Sequence, residues 1–394
     1  MDIFQKCFDF HDADEVKAAG LYNYFRVIAS AQDPVVVMDG REVIMLGSNN
    51  YLGLTNHPEV KRAAQEAIAK YGTGCAGSRF LNGTLDVHVQ LEEKLAEFMG
   101  KPAALTFSTG FQVNLGVISC LVDRGDVVYL DKLDHACIID GARLGFGTVV
   151  KYEHNSVADL ERRLATKDPK KAALVVVDGV FSMEGDIVDL PALVSICEKH
   201  GVRLMVDDAH GIGVLGEHGR GTAEHFGLEE RVDLVMGTFS KSLASVGGFI
   251  VGEERVINWI KHRARSLIFS AAPPPASVAA VLKAVEIMQR EPERRQRLWE
   301  NTAFMKRELA NLGFNTGDSR TPVIPVVVGE DKLCFFMAKR LEQEGVFVNP
   351  VVSPAVPPGR ALLRTSYMAT HTREHLERAL GAFAKVGKEV GLIQ

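Results

Sequence analysis

Short apolar runs recur between Asp126 and Gly252: DVVYLD, TVVKYEH, AALVVVDGVF, RLMVDDAH, DLVMGTFS and GGFIVG. Most are separated by stretches with apolar residues at helical spacing, such as LPALVSICEKHG. Alternating strand and helix patterns predict an α/β fold, a mainly parallel sheet covered by helices. The runs are apolar throughout rather than alternating, which suits strands buried on both faces. Ligands of such sheets gather beyond the carboxyl ends of the strands, so the polar residues that close each run are the first candidates for chemistry.

The pattern changes after Pro274. Residues 274–313 read as long helices that link two lobes, with EPERRQRLWENTAFMKRELANLG placing apolar residues at helical spacing on a charged background. TPVIPVVVG, the helical KLCFFMAKRLEQEG, VFVNPVVSP, the strand ALLRTSYM and a last helix from about Thr372 then form a smaller α+β lobe. The expected division is an N-terminal segment over 1–50, a large domain over 51–290 and a small C-terminal domain over 291–394. There is no internal repeat and no low-complexity linker.

Composition narrows the function classes. The 394 residues suffice for two or three packed lobes, and 46% hydrophobic with 24% charged residues is ordinary for a globular chain. A net charge of −5 provides no overall basic field for a nucleic-acid backbone, so nucleic acid is not an expected partner. The six cysteines (Cys7, Cys75, Cys120, Cys137, Cys197 and Cys334) lack zinc-type spacing, so reduced thiols and no metal site are expected. The opening MDIFQKCFDFHDADE is acidic where a signal peptide is apolar, and no run reaches the ~18 apolar residues of a spanning helix. A cytoplasmic protein without stable membrane insertion is expected.

Five places carry candidate chemistry. RLMVDDAH ends in Asp207, Asp208 and His210, which suit a partner for a protonated heterocycle nitrogen, a turn cap or a metal. DLVMGTFSKSLAS surrounds Lys241 with small and hydroxylated residues; a desolvated lysine there becomes a nucleophile, although most lone lysines are simply solvated. Thr238 and Ser240 add hydroxyl donors suited to a phosphate. TFSTGFQVN starts a helix near Phe111, where Gly110 and free N–H groups make a phosphate seat or only a helix cap. VDGVFSMEGD places Ser182 after a buried strand, and LDKLDHACIIDG places His135 where it can lie against an aromatic ring or serve the fold. Together these are the parts of a pyridoxal-5′-phosphate (PLP) site.

Gly211-Ile212-Gly213-Val214-Leu215-Gly216 matches the dinucleotide pattern G-x-G-x-x-G. The following EHGRGTAEHFG is too glycine-rich to open the helix that must face a pyrophosphate, so NAD is not expected.

The stretches GSNNYLGL (47–54), YGTGCAGSRFLNGTLDVHVQLEEKLA (71–96), STGFQ (108–112), DHACIIDGARL (134–144), DGVFSMEGD (178–186), VDDAHGIGVLG (206–216), GTFSKSLAS (237–245) and LLRTSYMATHT (362–372) resemble the α-oxoamine synthases. These are PLP enzymes of fold type I that join amino acids to acyl-CoA thioesters. The resemblance spans nearly the whole chain, and its wording is most similar to the soluble bacterial serine palmitoyltransferases.

That kinship implies a fold-type I transferase, with a large domain built on a mainly parallel seven-stranded sheet and a smaller α+β C-terminal domain. It implies Lys241 as the Schiff-base lysine, Asp207 as the partner of the pyridine nitrogen and His210 as a contact to the ring hydroxyl. His135 stacks on the ring, Ser182 reaches a ring oxygen, and Gly110, Phe111, Thr238, Ser240 and Ser270 serve the phosphate. Arg364 takes the amino-acid carboxylate, with Asn50, Tyr51 and Ser78 lining the substrate pocket. Relatives often carry a further Ser or Thr after FSAA (269–272) that reaches the partner subunit's phosphate; here Ala271, Ala272 and three prolines follow Ser270. The expected partners are L-serine and an acyl-CoA, and the expected assembly is a homodimer with the site at its interface. Glycine, alanine or cysteate with another acyl-CoA, an inactive structural subunit, and a metal hydrolase using Asp207, Asp208 and His210 are the alternatives.

Overall fold

The structure, a computed structural model, describes residues 2–394. A hairpin of β1 (Val35–Met38) and β2 (Arg41–Met45) precedes a seven-stranded sheet made of β3 (Ala103–Phe107), β4 (Val127–Asp131), β5 (Thr148–Tyr152), β6 (Ala173–Asp178), β7 (Arg203–Asp207), β8 (Leu234–Thr238) and β9 (Gly248–Gly252). Its order is β3-β9-β8-β7-β6-β4-β5. Only β9 runs antiparallel to its neighbours.

The six apolar runs are β4 to β9 in sequence. β4, β8 and β9 are buried along their whole length, as their unbroken apolar character predicts. TVVKYEH behaves differently, because β5 closes one edge of the sheet and leaves Thr148, Val149 and Lys151 exposed. β3 lies outside the region in which the apolar runs recur, and it joins the sheet by pairing with the late strand β9.

The C-terminal part contains β10 (Val323–Gly329), β11 (Val346–Phe347), β12 (Asn349–Val351) and β13 (Ala361–Ser366). β10, β13 and β12 form an antiparallel sheet, whereas β11 pairs in parallel with β2. Early and late parts of the chain are thereby tied together, a pairing with no local signal. The helices Pro275–Arg290 and Glu293–Asn311 occupy the expected linking stretch, and the first packs against helix Pro58–Tyr71. The last helix is Arg373–Glu389, capped by the Thr372 hydroxyl at the amide of His375 (3.2 Å).

The Gly211–Gly216 segment continues only to a four-residue helix, Thr222–His225, so it offers no long helix to a dinucleotide. Among the described residues, no helix is long and apolar enough to cross a membrane.

Close packing fixes the geometry at the carboxyl end of the sheet. A Cβ on Gly248 would lie 2.7 Å from the Cα of Gly110 and 2.9 Å from Val113 Cγ2, so backbone meets backbone there. Gly248→Ala is therefore expected to lower stability by about 1–3 kcal/mol through overpacking, measured by urea unfolding. An unchanged midpoint would mean that the strand and helix separate without cost.

Candidate functional site

A cavity of about 370 Å³ opens at the carboxyl ends of the parallel strands. Nine expected residues line it: Gly110, Phe111, His135, Ser182, Asp207, His210, Thr238, Ser240 and Lys241. They come from separate strand ends and one helix start, brought together because parallel strands all point their carboxyl ends the same way. A hollow of about 510 Å³ lies at the opposite ends of the strands, with a mainly apolar floor including Val127, Leu174 and Leu234. It lacks the converging nucleophile, acid and hydroxyls of the smaller cavity.

Asp207 and Asp208 part company at the end of β7. Asp207 is buried; its Oδ2 accepts from Asn114 Nδ2 (2.6 Å) and its Oδ1 from the amide of Ala209 (3.1 Å). Asp208 accepts instead from the Thr222 amide (2.5 Å) and hydroxyl (2.7 Å), holding the turn that follows. Burial pushes its carboxyl up to about 7. His210 Nδ1 lies 2.7 Å from the Tyr51 hydroxyl, and burial, with Lys241 and Arg364 nearby, holds its pKa well below the usual histidine range. Asp207, Asp208 and His210 are not among the residue groups that bring ligand atoms together for a metal ion.

Desolvation lowers the Lys241 pKa to about 8, against the opposing pull of Asp207 and Asp178. The amine is thus much closer to its nucleophilic form at neutral pH than an ordinary lysine. The Asp178 carboxyl is itself raised, first by burial and then by Asp207, while its Oδ2 accepts from the amide of His135 (2.8 Å).

Opposite these groups, helix Gly110–Leu121 begins with Thr109 as its cap, the hydroxyl accepting from the amide of Gln112 (3.1 Å). The amides of Gly110 and Phe111 have no intrahelical acceptor, as at any helix start. A Cβ on Gly110 would lie 2.7 Å from Thr238 Oγ1, so only glycine leaves the helix end this close to the hydroxyls. Thr238 Oγ1 and Ser240 Oγ are 2.9 Å apart. A helix start, two hydroxyls, a desolvated lysine and a buried carboxylate fit a phosphorylated pyridine aldehyde.

Arg364 projects from β13. Its Nε donates to the carbonyl of Ser182 (2.5 Å) and its Nη2 to Asn49 Oδ1 (3.0 Å). It is only 6% exposed, and among the described residues its side-chain partners are these two neutral oxygens.

The sequence pattern of the family described as aminotransferase class I and II matches residues 41–383. The chain belongs to that family. A serine palmitoyltransferase of Sphingobacterium spiritivorum is 54% identical over 380 residues, covering 96% of this chain and 95% of that protein. An 8-amino-7-oxononanoate synthase of Thermoanaerobacter pseudethanolicus is 47% identical, covering 96% of each. A solved structure of an S. paucimobilis serine palmitoyltransferase variant with bound PLP-myriocin aldimine superposes with a TM-score of 0.97 at 37% identity, over 100% of both chains. The fold is thus that of a fold-type I PLP enzyme, the cofactor is PLP, and the chain is a PLP-dependent acyltransferase of the kind its α-oxoamine synthase motifs imply.

Five expected residues are not in the lining of this cavity: Arg364, placed above, and Asn50, Tyr51, Ser78 and Ser270. Asn50 Oδ1 accepts from the amides of Leu54 (3.1 Å) and Thr55 (3.3 Å), so it holds a turn, and its neighbour Asn49 is the one that meets Arg364. Tyr51 stands behind His210. Ser78 forms a bridge with Ala271. Ser270 Oγ accepts from Gln112 Nε2 (3.0 Å). Conversely, Asn49, Asn114, Cys137 and Asp178 were not singled out from the sequence. Asp178 closes an apolar run, and Asn114 is a polar residue in an otherwise apolar helix; those were the available signals.

The depressed Lys241 pKa has a measurable consequence. The rate at which the apo-protein takes up PLP into its visible, lysine-bound form should rise with pH as the amine loses its proton, with a midpoint near pH 8. A midpoint above 10 in a stopped-flow absorbance series would show that the amine is not desolvated.

Proposed function

We propose that the protein condenses L-serine with a long-chain acyl-CoA such as palmitoyl-CoA, giving 3-ketodihydrosphingosine, CoA and carbon dioxide, the first step of sphingolipid synthesis. The observation that carries this reading is Arg364: a buried guanidinium with no carboxylate partner beside the cavity. A buried charge without a counter-ion is costly, and a substrate carboxylate supplies one in the paired geometry that guanidinium favours. Relatives named for serine and palmitoyl transfer support the choice of substrates.

Bound PLP supplies the electron sink for charge that develops at the substrate Cα. Lys241 would hold the cofactor, and its free amine would take the substrate α-proton on Nζ. Asp207 keeps the pyridine nitrogen protonated, and Asn114 fixes the orientation of its carboxylate. His135 would hold the ring, and His210, backed by Tyr51, would hold its hydroxyl. Gly110, Phe111, Thr238 and Ser240 would hold the phosphate, and Ser182 would serve a ring oxygen. Arg364 orients the carboxylate that leaves as carbon dioxide. His135 donates a hydrogen bond to oxygen as negative charge develops there.

A homodimer belongs to this reading. Phe80, Leu81 and Phe269 are 50%, 78% and 74% exposed, an apolar area suited to a partner. With Ala271 and Ala272 in place of hydroxyls and Ser270 engaged by Gln112, no residue of that loop is assigned to the partner's phosphate.

Relatives named 8-amino-7-oxononanoate synthase favour one second reading, an α-oxoamine synthase using another small amino acid such as alanine. Titrating the visible spectrum of the holoenzyme with L-serine, glycine, L-alanine and cysteate, and then adding palmitoyl-CoA, separates the two. Serine should saturate at the lowest concentration, and a preference for alanine would reverse the assignment. Arg364→Ala is expected to weaken serine binding roughly 10- to 150-fold, the worth of about 1.5–3 kcal/mol for a charged hydrogen bond, with PLP retained. Parallel loss of both ligands would assign Arg364 to the fold.

A further inference from the structure

Asn114, Cys137 and His135 form a connected chain of polar contacts that starts at Asp207. Asn114 Nδ2 lies 2.6 Å from Asp207 Oδ2 and 3.0 Å from Cys137 Sγ. Cys137 Sγ lies 2.9 Å from His135 Nδ1, and the backbone amide of Cys137 lies 3.2 Å from the same nitrogen. Asn114 and Cys137 are buried, and Asn114 Oδ1 has no partner.

The direction of each bond follows from the donor inventory. The Asp207 oxygen accepts here, so the Asn114 amide turns its NH₂ toward Asp207; the flipped amide would set oxygen against oxygen at 2.6 Å. The same NH₂ has a second hydrogen, which points to Cys137 Sγ. With its sulfur accepting there, the thiol is free to donate its own hydrogen to His135 Nδ1. The Cys137 amide can only donate, and it is aimed at that same nitrogen. Nδ1 is therefore an acceptor twice over. An Nδ1 that accepts carries no proton, which places the ring proton on Nε2, and burial lowers the His135 pKa in the same sense.

We infer that Asn114 and Cys137 are positioning residues that carry the orientation imposed by Asp207 to His135 and fix it as the neutral Nε2–H tautomer, a hydrogen-bond donor toward the cavity. The role follows from the reading of His135 under the proposed function and goes beyond it. A ring held in this way donates to a substrate carboxylate or developing oxyanion and does not serve as the proton-abstracting base, which leaves that task to Lys241. It also gives the cysteine a specific duty: serine preserves the donor, whereas valine of similar bulk abolishes it.

The test is nitrogen NMR of the PLP-loaded protein with ¹⁵N-labelled histidine, the His135 signals being assigned by their disappearance in His135→Gln. The wild-type protein and Cys137→Ser should both show a protonated Nε2 and an unprotonated Nδ1 at His135. Cys137→Val should show exchange between tautomers and bind serine about three- to tenfold more weakly, with Cys137→Ser within about twofold of wild type. The visible cofactor spectrum of each variant checks that the site is folded. A proton on Nδ1 in the wild type overturns the inference, as does a Cys137→Val protein identical to wild type in both tautomer and serine affinity. If the tautomers behave as expected but serine fails to bind any variant, the network stands and the choice of serine falls.

Discussion

The site depends on an electrostatic balance struck in a dry place. The Lys241 amine sits at the carboxyl end of the sheet, where loss of water favours its neutral form, while Asp207 and Asp178 favour its charged form. Desolvation is the larger effect and leaves the amine near pKa 8. In water the same groups interact only weakly, because the dielectric screens them. Burial in the folded chain is what brings a common lysine closer to its nucleophilic form.

That balance requires a rigid surround, and the packing supplies it. Gly248 and Gly110 bring β9 and the helix start into backbone contact, and Gly110 in turn lies against Thr238. The acids behind the cavity are held by backbone amides: Asp178 by that of His135, and Asp134 by those of Asp178 (3.0 Å) and Asp131 (2.8 Å). Burial raises Asp134 as it raises Asp178, so the sheet ends in acids that are kept from ionising freely. His154 bridges Asp131 and Asp186 at 3.0 Å each, and these carboxylates raise it to about 10 despite its burial. A cation at that point offsets part of the negative charge and ties the loop carrying Ser182 to β4. Through the Ser182 carbonyl, the same loop orients Arg364.

Three distant parts of the chain meet at Arg364. Arg364 comes from the C-terminal sheet, Ser182 from the loop after β6, and Asn49 from the chain leaving β2. The guanidinium is buried and donates to two neutral acceptors, the Ser182 carbonyl and Asn49 Oδ1. The cavity is therefore flanked asymmetrically, with the acids Asp178 and Asp207 in its lining and the Arg364 guanidinium beside Ser182.

The sequence by itself determined the elements and their chemistry. Unbroken apolar runs marked the buried strands, and the residues closing those runs, Asp207, Lys241 with its hydroxyls and Ser182, proved to be the cavity lining. This works because in a parallel sheet each strand end is a local feature and all such ends share one face. Tertiary structure alone decided what depends on distant partners. Asp207 and Asp208 are adjacent in sequence, yet Asn114 claims one and Thr222 the other. Asn49 rather than Asn50 meets Arg364, because the turn at Leu54 takes the neighbour. Asn114 meets Asp207 across 93 positions, and Arg364 meets Asn49 across 315. No periodicity encodes such contacts, since they arise only when strand order and close packing bring far segments within a few ångströms.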